Sequence, residues 1–465
     1  MTLNTNKMLN KENKVQIEIQ SSMCYKIYQQ YGWLLNAYVS DYYVSDYWRQ
    51  LPQSWRDSLE NLKPEVLASI IDPAAALTDF QILPLSLLSL RQSLIYLSLP
   101  RAQEFLYVDQ LKPTYSLLYN KNVMQNKHFK NCFWKRIKMK KRHEIQLIAK
   151  MCYKLANETQ CNYIVDVGSG LGHLSRVLCY MYGFRVCALE AQEYLTTEAR
   201  KLDDLMENKM KNYFDGSINN KLRVTHLNVK VKTNCDGSDI LEAVKEAFSS
   251  NDNIQFGIVG LHPCGNLGPT LLRLFKHSSR VKFLNIVGCC YMKLTTPGYP
   301  LSTYCKQNNY DLQYSAREVA CHALEAYIAK LKVGDFDQLK VHAYRAALEK
   351  LIINRSPSMY HSQVNSVKCT DGLEFAEYCS KATSNLGIEL SRSEMDSLEI
   401  RNYLDDWRNV VVFYSLRLMM APLIENIIML DRVLYILESG HHCEVTSLFD
   451  PKLSPRNQIL TAKKY

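Results

Sequence analysis

The sequence predicts an α/β fold: a parallel sheet covered by helices on both faces. Three observations predict it. Strand-like and helix-like segments alternate from about residue 143 to 287, a glycine-rich loop follows the first strand, and a carboxylate ends the second. The 465 residues allow two or three domains, or one large domain with insertions. Apolar residues make up 47% and charged residues 22%, which excludes a disordered or fibrous chain.

The elements follow in order. Residues 1–20 are polar and lack the apolar core of a signal peptide, so they read as a disordered tail. Residues 21–120 carry amphipathic helical patterns, with Leu at helical spacings in 83–99 and a helix start at Ser54 with Asp57, and read as an all-helical N-terminal domain. The most apolar windows, 82–100 and 409–430, are interrupted by Arg91 and by Arg417 and Glu425, so no transmembrane helix is expected. Fifteen cysteines without an export signal read as reduced thiols in an intracellular protein, of cytoplasm or nucleus, and the absence of a C-x-x-C pair argues against a zinc ribbon.

Residues 121–142 form a basic segment. It holds nine Lys/Arg and no acid, with Phe129, Phe133 and Trp134 interleaved. Cations attract phosphate and bases stack on aromatics, so Lys135, Arg136, Lys138, Lys140, Lys141 and Arg142 are candidate RNA contacts. A solvated basic face or a localisation signal has the same composition.

A Rossmann-like core is expected over 143–304. Ile145, Ile148, Ala149, Cys152, Leu155 and Ala156 share one helical face. Strands are expected at Tyr163–Val167, Phe184–Leu189, Leu222–Leu227, Ile254–Leu261 and Val281–Val287, with helices at Leu174–Tyr182, Glu193–Tyr213, Ile240–Phe248 and Leu267–Phe275 between them. Residues 305–440 read as a helical insertion, with one helix spanning Ala316–Leu331, and 441–465 as a hairpin that completes a seven-stranded sheet.

The loop YIVDVGSGLGHL points to a cofactor. Asp166 ends a strand, and Gly168, Ser169, Gly170 and Gly172 permit a tight turn and close backbone approach to a ligand. Glu190 ends the next strand, where a carboxylate can accept ribose hydroxyls. The G-x-G-x-G spacing, after an acid, resembles motif I of class I S-adenosylmethionine-dependent methyltransferases rather than the dinucleotide G-x-G-x-x-G. The terminal hairpin resembles the same class. A class I methyltransferase sheet with S-adenosylmethionine as cofactor is therefore expected.

Chemistry in such a sheet sits outside the carboxyl ends of the strands. The fourth strand leads to His262, Pro263 and Cys264, and the fifth to Cys289, Cys290 and Tyr291. His262, Cys264 and Tyr291 are the candidate catalytic residues. Pro263, Cys289, Cys290 and His322 are candidates for the acceptor side.

The blocks KKRHE, VDVGSGLGHLS, GLHPCGNLGPTLLRLF, CCYMKL, AREVACHALEAY and FDPKLSPRNQILTAKK, spread over about 135–465, resemble the methyltransferase-like protein 25 family. Its relatives include ribosomal RNA adenine dimethylase domain-containing proteins. The resemblance implies a methyltransferase. The fourth exit reads LHPCG rather than the N/D-P-P-Y/F of adenine-amino methyltransferases. The H-x-C-G loop with a later Cys-Cys pair is similar to tRNA ribose 2′-O-methyltransferases, in which reading His262 orients the attacking hydroxyl or takes its proton. Two cysteines at these exits also suit cytosine-C5 chemistry. No spacing among His262, Cys264, Cys289, Cys290, Cys321 and His322 matches a standard metal site, so no metal is expected. The leading expectation is methylation of tRNA or rRNA. The alternatives are a protein methyltransferase and a non-catalytic binding module.

Overall fold

The computed structural model describes residues 2–77, 82–103, 131, 133–135, 137–210, 223–233, 236–248, 254–334, 336–368, 370 and 372–464. The chain forms two compact units. One comprises residues 1–22, 100–311 and 427–465, and the other residues 23–99 and 312–426.

The first unit contains the sheet. Helix α1 (Met139–Thr159) leads into β1 (Tyr163–Val167), and a short helix α2 (His173–Arg176) passes into a π-helical turn at Val177–Met181. Then follow β2 (Arg185–Glu190), α3 (Glu193–Met210), β3 (Thr225–Asn228), α4 (Ser238–Phe248), β4 (Phe256–Gly260), α5 (Leu267–His277) and β5 (Val281–Val287). The hairpin β6 (His442–Ser447) and β7 (Gln458–Lys463) closes the chain.

The strand order is β3-β2-β1-β4-β5-β7-β6. β1 to β5 are parallel, and β7 enters antiparallel between β5 and β6. This is the class I methyltransferase-type Rossmann-like sheet that the alternating pattern predicts. The order reverses between β1 and β4, so the loops leaving those two strands flank the crevice where ligands of such sheets bind.

The strands are apolar because both faces are covered. The expected face of α1 is the observed one: Ile145, Ile148, Ala149 and Cys152 are buried in a core with Ile164, Val259 and Phe283. Burying each such side chain contributes about 1.5–3 kcal/mol.

The second unit is helical and draws on two distant stretches. Helix Pro64–Ile71 packs on Leu324–Val333, and Phe336–Arg355 packs on Trp407–Met419 and on the turn Val39–Asp41. The N-terminal helices and the insertion, expected as separate domains, thus share one unit. The physical reason is that apolar faces of the two stretches cover each other. Arg91 ties the helical region together by donating to the carbonyls of Ile70, Asp72 and Ala75 at the end of Pro64–Ile71.

Three local expectations are corrected. Residues 2–20, read as a disordered tail, run as part of the helix Thr2–Asn36, which no proline interrupts. Its Glu18 carbonyl accepts from Tyr304 Oη at 3.1 Å. The helix expected to start at Ser54 is Gln53–Leu59, preceded by Pro52, with no side-chain cap. The single helix expected over Ala316–Leu331 is two, Tyr314–Val319 and Leu324–Val333.

Among the described residues, one helical stretch, Trp407–Leu437, is long and apolar enough to cross a membrane. Its most apolar window is 89% buried within the protein, as a core helix would be.

Candidate active site at the strand ends

The loop after β1 folds onto the end of β2. The amides of Gly168 and Ser169 both donate to the Leu189 carbonyl, at 2.9 and 3.0 Å. The Gly170 amide donates to Glu190 Oε2 at 2.8 Å, and the Gln192 amide to Glu190 Oε1 at 3.0 Å. Glu190 is therefore held by two backbone donors, while each oxygen keeps a free lone pair.

The glycines are needed here. Gly168, Gly170 and Gly172 have φ of +75°, +57° and +69°, a region that side chains with a Cβ rarely adopt. A Cβ on Gly172 would also lie 2.6 Å from His226 Cε1. That imidazole belongs to a buried network: His226 Nε2 lies 2.7 Å from Asp203 Oδ2, and Arg176 Nη1 donates to Asp203 Oδ1 at 2.7 Å. The loop thus rests on a charged cluster shared by β3, α2 and α3.

Asp166 is only 2% exposed, and its Oδ2 accepts from Ser175 Oγ at 2.6 Å. Burial pushes its carboxyl up to about 6, against the pull of the Ser175 hydroxyl. It supports the loop from beneath rather than facing open space.

Two observations fit this loop to S-adenosylmethionine. Ser169 Oγ is buried without a hydrogen-bond partner, which a bound polar group would satisfy. On the Cβ side of Gly170 nothing lies within 4 Å.

The exit of β4 lies alongside. The His262 carbonyl is 3.9 Å from the position of a Cβ on Gly168. Three sulfurs converge from the two exits: Cys264 Sγ lies 3.1 Å from Cys290 Sγ and 4.0 Å from Cys289 Sγ, and the last two are 3.3 Å apart. Hydrogen bonds from the Cys289 thiol draw the Cys264 thiol down to about 5, while the same contacts drive Cys289 up. His262 Nδ1 lies 3.9 Å from Cys289 Sγ, and its Nε2 stands 3.8 Å from Glu144 Oε2. Its side chain is 45% exposed, yet partial burial and the charges of Lys141 and Lys140 lower its pKa, against the pull of Glu144 and Cys264.

Other candidates fall in different places. Tyr291, expected on the catalytic surface, is fully buried, with Arg432 over its ring at 5.6 Å. A Cβ on Gly288 would collide with its hydroxyl. It braces the β5 exit. Pro263 is buried against Gly260 in the turn. His322 belongs to the helical unit, where Glu318 Oε1 at 2.6 Å and Tyr414 Oη at 3.1 Å hold its ring. Those contacts give it a packing role and leave its acceptor-side assignment without support.

The basic segment divides. Lys135, Lys138 and Lys140 are exposed. Arg136 lies outside the described residues, as does all of 121–130. Arg142 is spent on the backbone, donating to the carbonyls of Ile137 at 2.7 Å and Trp134 at 2.6 Å. Lys141 turns inward: burial lowers its pKa, and it feels the charges of Asp166, Glu144 and Arg176.

Glu144, absent from the expected site, joins these parts. It is 2% exposed, accepts from Ser454 Oγ at 2.6 Å, and stands 3.9 Å from Lys140 Nζ. The neighbouring His143 Nε2 accepts from the Asp450 amide at 2.9 Å. The block KKRHE and the turn DPKLSP, three hundred residues apart in sequence, therefore meet. The available signal was an acid directly after a basic run, beside Ile145 on the apolar face.

Comparison with known proteins agrees with this geometry. A family model described as a methyltransferase domain matches residues 140–297. A mouse protein named "Probable methyltransferase-like protein 25" is 32% identical over 44% of this chain and 37% of its own length. The human protein of the same name is 24% identical over 70% of this chain and 74% of its own length. The mouse match thus spans well under half of that relative. The chain thus carries a methyltransferase domain and is similar to the proteins named methyltransferase-like protein 25.

Proposed function

We propose that the protein transfers the methyl group of S-adenosylmethionine to RNA, with tRNA or rRNA as the substrate class. The observation that carries the RNA half is the Glu144 junction. Exposed Lys138 and Lys140 open the same helix whose Glu144 faces His262, so cations that attract phosphate rim the crevice between the β1 and β4 exits.

On the donor side, Gly168, Ser169, Gly170 and Gly172 would hold the methionine part, and Glu190 would accept ribose hydroxyls through its free lone pairs. Half-buried Lys141 would face the donor's carboxylate. The bound donor supplies an electrophilic methyl on a sulfonium, which is displaced in line. The residues' task is alignment and exclusion of water, and a well-oriented pair can gain about 7–11 kcal/mol in this way. The β4 exit loop that carries His262, beside the glycine loop, aligns the acceptor.

The test is incubation of the protein with total RNA and labelled donor. Label in RNA supports the reading. Label in protein instead moves it to a protein methyltransferase, which the two-part helical unit would suit as a partner surface.

A further inference from the structure

We infer that Cys264, Cys289 and Cys290 bind a zinc ion, with His262 Nδ1 as the fourth ligand and Glu144 as the carboxylate that orients that histidine. This does not rest on the methyl-transfer reading.

The three sulfurs lie 3.1, 3.3 and 4.0 Å from one another, and their ligand atoms fall within one 4.8 Å cluster. With zinc–sulfur bonds of about 2.3 Å, the corners of a tetrahedral site are about 3.8 Å apart. The observed triangle brackets that value. A disulfide is a poorer account, because its sulfurs would be about 2.0 Å apart and a third thiol would remain. Reduced thiols of a plain core do not usually gather in threes at the mouth of a crevice, with two of them partly exposed.

His262 stands beside the cluster but outside it, so its side chain would turn toward the metal to fill the fourth position. His262 Nδ1 lies 3.9 Å from Cys289 Sγ. Its other nitrogen points to the Glu144 carboxylate at 3.8 Å. Zinc-bound histidines commonly give their second ring N–H to a carboxylate, which fixes the tautomer and the ring plane. Glu144 is itself fixed by Ser454.

The backbone is shaped to this cluster. Cys290 is a non-glycine residue at φ +46°, a conformation that persists where its surroundings impose it. Gly265 at φ +57° lets the β4 exit press on the β5 exit, since a Cβ there would lie 2.8 Å from the Lys293 carbonyl. Asn266 Nδ2 donates to Thr295 Oγ1 at 2.6 Å, and the Thr295 amide donates to Asn266 Oδ1 at 3.0 Å. The ligands thus come from two loops that are already clamped together.

Soft thiolates with one imidazole suit zinc among the common metals. On binding, each coordinating thiol gives up its proton to solvent and the metal keeps its charge state, so no oxidant or reductant is required. The ion would lock the acceptor-side loops and set the orientation of His262.

The experiment is metal analysis of the full chain, purified without chelator from zinc-supplemented medium. One zinc per chain is expected. Cys290→Ser and Cys264→Ser should each lower occupancy at least several-fold, while Cys379→Ser, a buried thiol of the helical unit, should leave it unchanged. A folding failure of the loop variants is bypassed by titrating the native protein with a mercurial thiol reagent, which should release zinc in step with the modified thiols. Cobalt-loaded protein should show thiolate-to-cobalt charge transfer, weakened in Cys290→Ser. Wild-type protein with no stoichiometric zinc after loading, or zinc retained in full by the Cys264→Ser/Cys290→Ser double variant, would overturn the site.

Discussion

The Gly170 amide and the Glu190 carboxylate are hydrogen-bonded at 2.8 Å across the ends of β1 and β2. This bond closes the glycine loop on one side and leaves Glu190 facing the crevice with spare acceptor capacity. Glu190 is thus a loop clamp, and in the proposed function it also accepts the donor's ribose hydroxyls. Glu190→Ala should therefore raise the dissociation constant for S-adenosylmethionine at least tenfold. It should also cost about 1–3 kcal/mol of stability, because two amides lose their partner. Calorimetric titration and urea denaturation read the two effects separately. Unchanged affinity would remove Glu190 from the donor site.

Asp166 gives the protein a specific pH dependence. Its carboxyl is raised from 3.8 to about 6 by burial. A raised acid favours the folded state fully below about pH 4, and that contribution is lost as the pH rises through 6. Asp166→Asn should thus gain stability relative to wild type between pH 4 and pH 8, by on the order of 2–3 kcal/mol. Urea midpoints across that range test it. Parallel profiles for the two proteins would contradict the assignment.

Gly172 is the least replaceable position of the loop. Gly172→Ala places a methyl 2.6 Å from the His226 ring and strains a left-handed backbone. Displacing His226 disturbs the pairing of Asp203 with Arg176 in a nearly dry environment. A loss of about 2–4 kcal/mol is expected. Thermal denaturation should show it even without ligand, whereas a loss seen only with ligand present would mean that the network tolerates the shift.

The lysines of the basic segment should separate into two classes. Lys138→Glu and Lys140→Glu should weaken RNA binding whatever its sequence. Each should also reduce the slope of log affinity against log salt by about 0.7 for every single-strand phosphate that the variant no longer neutralises. Lys141→Met should leave that slope nearly unchanged and weaken S-adenosylmethionine binding instead. Filter binding across a salt series, beside calorimetry, distinguishes them. A full slope change in Lys141→Met would return that residue to the RNA face.

Much of the sheet could be read from residue order alone. The β-branched run at Tyr163–Val167, the glycines that follow and Glu190 are local signals, because each acts within its own strand or turn. Long-range coverage was not legible. Helical periodicity marks an apolar face on Pro64–Ile71 and on Leu324–Val333 but does not say that they cover each other. The same limit explains the site. The three cysteines converge through the pairing of β4 with β5, which spacing along the chain does not encode. Tyr291 reads as a polar residue at a strand exit, yet the chain folds its ring under Arg432. Lys141 and Arg142 share a charge run with Lys138 and Lys140, but the start of α1 turns one inward and commits the other to backbone carbonyls.

The most direct test of the central claim is calorimetric titration of the full chain with S-adenosylmethionine, beside Gly170→Arg. A Cβ at Gly170 meets nothing within 4 Å, so the arginine can enter the donor space without a core clash. The account predicts roughly micromolar binding to wild type, about −8 kcal/mol. It predicts no detectable binding in a variant that stays folded and loses no more than the roughly 1–2 kcal/mol that a side chain costs at the left-handed φ of +57°. No heat and no thermal shift with wild type, or equal binding by both proteins, would contradict it.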